Sequence, residues 1–118
     1  MDLFKVGKLY HIGIAVHDAL KVAKLYSDVL GLEIEHDETV PDQGVRAIML
    51  SNDKSNSSAI ELLEPVVENS SISKFLEKRG EGMHHICYLV EDINVGIKFL
   101  EDKNIEMIDR VPREGLNS

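Results

Sequence analysis

A duplicated segment constrains this chain more than any other feature. Residues 11–28 read HIGIAVHDALKVAKLYSD, and residues 85–102 read HICYLVEDINVGIKFLED, at an offset of 74 positions. Six of the 18 aligned positions are identical: His11/His85, Ile12/Ile86, Val16/Val90, Asp18/Asp92, Lys24/Lys98 and Asp28/Asp102. Unrelated stretches of ordinary composition would share about one. Most of the remaining pairs keep their polarity, as in Ala23/Ile97 and Leu25/Phe99. The chain therefore carries two copies of one supersecondary unit.

Each copy reads as a strand followed by a helix. Ile12, Ile14 and Val16 alternate with His11, Gly13 and Ala15, the period of two that marks a strand with one face buried. Asp18 is placed to accept backbone N–H bonds at a helix start. Ala19, Val22, Ala23, Tyr26, Val29 and Leu30 then recur at helical spacing, and Gly31 suits the left-handed residue that closes a helix. In the second copy Asp92 is the cap, Ile93, Ile97 and Leu100 form the stripe, and Asn104 is the stop.

Three further strands are expected after the first helix, over 32–36, 45–50 and 59–63. The step Pro41-Asp42-Gln43-Gly44 and the polar run SNDKSNSS divide them. Residues 71–78 read as a joining helix, Arg79-Gly80-Glu81-Gly82 as a turn, and 105–109 as a last strand. The expected class is α+β in one domain. It comprises a βαβββ module over 9–65, a connecting helix and turn over 66–82, and a second, truncated module over 83–118. The repeat asks for about two more strands than Ser118 allows.

Composition excludes several roles. Hydrophobic residues make up 43% of the 118 and charged residues 29%, the balance of a globular rather than a disordered chain. A net charge of −8 argues against nucleic acid and against anionic membranes as partners. No apolar run approaches a membrane span and the first ten residues lack a signal-peptide core. One cysteine, Cys87, precludes an intrachain disulfide. A cytoplasmic location is expected.

Strand parity sorts the side chains that can do chemistry. If Ile12, Ile14 and Val16 face their own helix, His11 faces the other way, and His85 does the same in the second copy. Glu61 lies in an otherwise apolar strand, IELL, where an ionised carboxylate needs a charge partner or a metal. Two sheets related by the repeat would bring His11, Glu61 and His85 onto facing concave surfaces. Two imidazoles and a carboxylate are a common donor set for a catalytic divalent ion. Such mixed N/O donors suit cobalt, zinc, manganese or nickel alike. Carried forward by the offset, Glu61 predicts a fourth ligand near position 135, past Ser118. By the same parity His84 belongs to the opposite strand face. His17 and His36 read as surface residues, Glu64 as solvated, and Cys87 as a small core residue on the His85 side. Arg79 is most simply part of a turn, with a substrate contact as its other reading.

These residues resemble a known family. The paired units with HIGIAV and HHICYLV are similar to the vicinal oxygen chelate superfamily of glyoxalase I, extradiol dioxygenases and bleomycin-resistance proteins. More narrowly, IELLEP, ISKFLEKRGEGMHHI, the step Gln43-Gly44-Val45 and the closing IDRVPREG resemble the methylmalonyl-CoA epimerases. The resemblance implies two βαβββ modules around one divalent ion, in a homodimer that acts on a small acyl-CoA substrate. It carries the metal ligands onto His11, Glu61 and His85, and a substrate contact onto Gln43. A last ligand, a glutamate of the terminal strand, has no counterpart here. A second family glutamate proposed as a base falls on Ala47, so no catalytic base is carried over. The expected activity is epimerisation of methylmalonyl-CoA at C2 through a metal-stabilised enolate. A glyoxalase I-like lyase and a non-catalytic binding protein are the alternatives.

Overall fold

The computed structural model describes residues 6–52, 58–90 and 92–103. In order, the elements are β1 (Leu9–Ala15), α1 (Ala19–Leu30), β2 (Glu33–Val40), a 3-10 turn (Pro41–Gln43), β3 (Val45–Ser51), β4 (Ala59–Pro65), α2 (Ser71–Arg79), β5 (Gly82–Tyr88) and α3 (Ile93–Asp102). The expected stop at Asn104 and the strand over 105–109 lie outside the described residues.

Local chemistry accounts for most of these boundaries. Asp18 accepts from the Lys21 N–H at 3.1 Å and starts α1, while Gly31, at φ 70°, ends it in the left-handed region that glycine occupies without strain. Asp92 repeats the cap in the second copy by accepting from Asn94 and Val95. Ser70 caps α2 through the Ser73 N–H. β2 runs to Val40, four residues past its expected end, and pairs with β3 over its length. Its side chains are mostly exposed, the charged Glu33, Asp37 and Glu38 among them, a usual defence of a sheet edge.

The strands form one mixed sheet in the order β2-β3-β4-β1-β5. β1 lies inside the sheet, parallel to β4 and antiparallel to the edge strand β5. This corrects the expectation of two facing sheets. The first strands of the two copies lie side by side, so the donors gather on one face of a continuous sheet. The register is symmetric under the repeat. Ile12 pairs with Ile86, His11 with Cys87 and Gly13 with His85, and the offset carries His11 onto His85 and Gly13 onto Cys87.

Each sheet face has its own core. α1 covers one, where Val16, Ala19, Ala23, Ile48, Leu50 and Leu62 are buried. α2 covers part of the other, against Ala15, Val45, Ala47 and Leu63. The parity expected for Val16 and Ile14 is therefore observed, since both pack on the α1 side. Among the described residues, no helix is long and apolar enough to cross a membrane.

Candidate metal centre

Three strands converge at one point of the α2-side face. In β1, His11 and Gly13 both project to this side. Gly13 is flanked in register by Glu61 of β4 and by His85 of β5. The side chains of His11, Glu61 and His85 close over the gap that Gly13 leaves. His11 Nε2 stands 3.0 Å from His85 Nε2, and each of these nitrogens is 3.3 Å from Glu61 Oε1. His11 and Glu61 are buried, at 8% and 7% exposure.

Burial pushes the Glu61 carboxyl up. Hydrogen bonds from His11 and His85, together with their charges, more than offset this and hold it at about 2. Glu61 is therefore an anion at neutral pH, and the triad offers one carboxylate oxygen and two imidazole nitrogens. Three donors at ~2.0–2.1 Å from a common ion stand about 2.8–3.4 Å apart for angles between a right angle and the tetrahedral value. The observed 3.0–3.3 Å triangle falls within this range. Among the described residues, these three form the one group of ligating side chains so arranged.

His84 departs from the parity expected for it. The β1–β5 register shifts between Gly13 and Ile14, so that His85 pairs with Gly13 but Met83 pairs with Ile14. The extra residue is a β-bulge at His84, and a bulge re-aims side chains. His84 thus comes round to the site face, with Nδ1 2.9 Å from His85 Nδ1 and its ring edge-on to Phe75 of α2. Burial, then the neighbouring His85 charge, lowers its pKa, with Glu61 opposing. His85 is therefore held at both nitrogens. Sequence alone does not reveal such a bulge.

The triad opens into a cavity of ≈ 880 Å³. Its apolar wall includes Val45, Ala47, Leu63 and Ile72, and its rim includes Asp42, Gln43 and Asn69. Cys87 lines it too, half-buried, with its thiol pushed up by burial and by the Glu61 charge. Gln43 thus comes to the cavity. Arg79 does not line it: its guanidinium lies over the Phe75 ring, 5.9 Å from the centroid. Glu64 is not simply solvated, because its Oε1 accepts from the Ala19 N–H at 2.7 Å, and Glu81 accepts from the His17 N–H at 2.8 Å. Both carboxylates tie the start of α1 to other elements, where a helix dipole favours negative charge. His17 and His36 are exposed, as expected.

Comparison with known proteins places the chain in a family. The family model described as the glyoxalase/bleomycin resistance protein/dioxygenase superfamily matches residues 10–118. The chain belongs to this superfamily. Among superfamily relatives, it is 44% identical over 89 residues to the ethylmalonyl-CoA/methylmalonyl-CoA epimerase of Cereibacter sphaeroides, covering 75% of this chain and 64% of that one. It is 32% identical to the mitochondrial methylmalonyl-CoA epimerase of Bos taurus, over 96% of this chain and 63% of the relative. It thus spans just under two thirds of the length of these two curated relatives. A solved structure of a variant Streptomyces coelicolor methylmalonyl-CoA epimerase, in complex with 2-nitronate-propionyl-CoA, superposes with a TM-score of 0.88 at 37% identity. That match covers 95% of this chain and 80% of the other.

Proposed function

We propose that this superfamily member is an isomerase that interconverts the epimers of methylmalonyl-CoA by exchanging the C2 proton. The observation that carries the reading is the convergence of His11, Glu61 and His85 beside an 880 Å³ cavity, in a chain whose relatives bear that activity's name. An acyl-CoA ligand is supported by the complex of the S. coelicolor relative.

In this reading His11, Glu61 and His85 hold one divalent ion, cobalt in first place. Bound there, the ion supplies Lewis-acid stabilisation of negative charge on carbonyl and carboxylate oxygens. The C2–H of methylmalonyl-CoA lies between a thioester and a carboxylate, so its acidity rises as those oxygens are stabilised. The residues do the rest. Glu61 stays ionised and brings its charge to the two imidazoles. Val45, Ala47, Leu63 and Ile72 give the cavity a wall that excludes water from the acyl group. Gln43 lines the cavity and is favoured over Arg79 as a substrate contact. Epimerisation needs proton transfer on both faces of C2. Ala47 cannot contribute, so at least one acid–base group must come from elsewhere.

We also carry the homodimer forward as a proposal, to be tested by sedimentation of the metal-loaded protein. The activity is tested by incubating the cobalt-supplemented protein with methylmalonyl-CoA in deuterium oxide and following C2 by NMR. Metal-dependent deuterium uptake is expected. No uptake, alongside turnover of the methylglyoxal–glutathione hemithioacetal, would transfer the assignment to a glyoxalase. Absence of a bound metal in the supplemented protein would favour a non-catalytic binding role.

A further inference from the structure

Both strands that carry a ligand histidine bulge one residue before it. Between β1 and β5, Leu9 pairs with Tyr88 and His11 with Cys87, so Tyr10 is the extra residue of β1. Gly13 pairs with His85 and Ile14 with Met83, so His84 is the extra residue of β5. Tyr10 and His84 are equivalents under the offset of 74 positions. A bulge re-aims side chains, and each extra ring turns edge-on to the histidine that follows. The centroids are 5.1 Å apart for Tyr10 and His11, and 5.2 Å apart for His84 and His85. The repeat thus sets an aromatic ring beside each imidazole of the triad.

The two rings differ in what they offer. His84 brings Nδ1 to 2.9 Å from His85 Nδ1, while His11 Nδ1 is buried with no hydrogen-bond partner among the described residues. The ligands also differ in packing. The His85 side chain is 35% exposed, against 11% for His11 and 9% for Glu61. Burial confines His11 and Glu61, whereas the His85 ring has room to turn. A hydrogen bond at its far nitrogen therefore matters most there. Chemistry gives the direction of that bond. An imidazole nitrogen that faces a cation must present its lone pair, so with Nε2 committed the ring proton of His85 sits on Nδ1. His84 Nδ1 then accepts it, and the proton of His84 lies on its own Nε2. His84 also meets the Phe75 ring of α2, edge-on at 5.0 Å, which limits its rotation.

We propose that His84 is a positioning residue: it accepts from the His85 Nδ1–H and so holds the His85 ring with Nε2 towards His11 and Glu61. Metal-binding histidines owe tautomer and orientation to such a partner, most often a carboxylate, a carbonyl or water. Here the adjacent residue supplies it, through a bulge. The inference rests on the metal reading above, yet the contact between the two rings exists without metal and can be tested alone.

The test uses the full chain. In isotope-labelled metal-free protein, NMR should show a scalar coupling across the Nδ1···Nδ1 hydrogen bond. In the Zn²⁺-loaded form the bridging proton should belong to His85. His84→Phe keeps a ring at the bulge, as Tyr10 does in the first copy, and removes the acceptor. In a titration with Co²⁺ alone it should bind about 10-fold more weakly, the lower end of the losses that follow removal of a ligand's hydrogen-bond partner, because His84 is exposed and water replaces part of the bond. His84→Asn should recover most of the affinity, since its side-chain oxygen can accept in place of Nδ1. In a His85→Ala background His84→Phe should change nothing further. The metal-free His84→Phe protein should melt with the wild type. Unchanged Co²⁺ affinity in His84→Phe would overturn the proposal. So would equal losses in His84→Phe and His84→Asn, an undiminished loss in the His85→Ala background, a bridging proton that belongs to His84, or early melting, which would make His84 a requirement of the fold. If the wild type binds neither ion, the metal reading fails. The coupling in the metal-free protein then decides whether His84 holds the ring, and its absence sinks the proposal as well.

Discussion

The strand–helix pairs β1–α1 and β5–α3 share a sequence pattern but not an environment. In both, an aspartate caps a helix that follows a strand beginning with or containing the repeated histidine. β1 has neighbours on both sides, and α1 buries Ala19 and Ala23 completely. β5 is the edge of the described sheet, with Met83, Ile86 and Tyr88 half exposed, and of α3 the helix buries Gly96 alone. Local chemistry therefore makes the same element twice, while burial depends on what packs against it. At the candidate metal centre the two copies become equals again, each providing one imidazole 3.3 Å from Glu61.

That equality gives the largest expected effect. His11→Ala and His85→Ala should each lower C2 deuterium uptake by roughly 10³-fold or more, the several kcal/mol that Lewis-acid stabilisation supplies. A difference above ~10-fold between the two variants would break the equivalence of the copies at the site. Away from the site the inequality should return. Leu62→Ala, fully buried beneath α1, is expected to cost about 2–5 kcal/mol in chemical denaturation. Ile93→Ala, half exposed on α3, should stay within ~0.5 kcal/mol.

A smaller, pH-dependent effect belongs to Glu61. In the metal-free fold its carboxyl is held at about 2, below the 4.5 of an unperturbed glutamate. A depressed folded value stabilises the protein above the unfolded value, and this contribution is lost as pH falls through the folded one. The stability advantage of wild type over Glu61→Gln should therefore be full above about pH 5 and shrink towards pH 2. An advantage that grows on acidification would contradict the ion-paired state.

Much of this was legible in the sequence, for identifiable reasons. Asp18, Gly31 and Asp92 act through neighbours in the chain, so their capping roles can be read locally. Strand parity put His11 and Glu61 on the correct face because β1 and β4 pair in an unbroken parallel register. His84 departs from its expected face because parity fails at a bulge, and a bulge is set by pairing between strands rather than by the strand itself. The contacts of Glu64 and Glu81 are illegible for a similar reason: each accepts from a backbone N–H that is 45 or 64 residues distant. The expectation of two facing sheets failed because the repeat specifies the unit but not how two units join. Antiparallel pairing of β1 with β5 is a tertiary fact.

The central claim is that two copies of one unit, joined edge to edge, grip one cation with one imidazole each. Cobalt K-edge X-ray absorption of the Co²⁺-loaded full chain tests this most directly. The account predicts one tightly bound cobalt per chain, with multiple-scattering features of two imidazoles that fall to one in either His11→Ala or His85→Ala. A cobalt site with fewer than two imidazoles in the unsubstituted protein, or one unchanged by both substitutions, would contradict it.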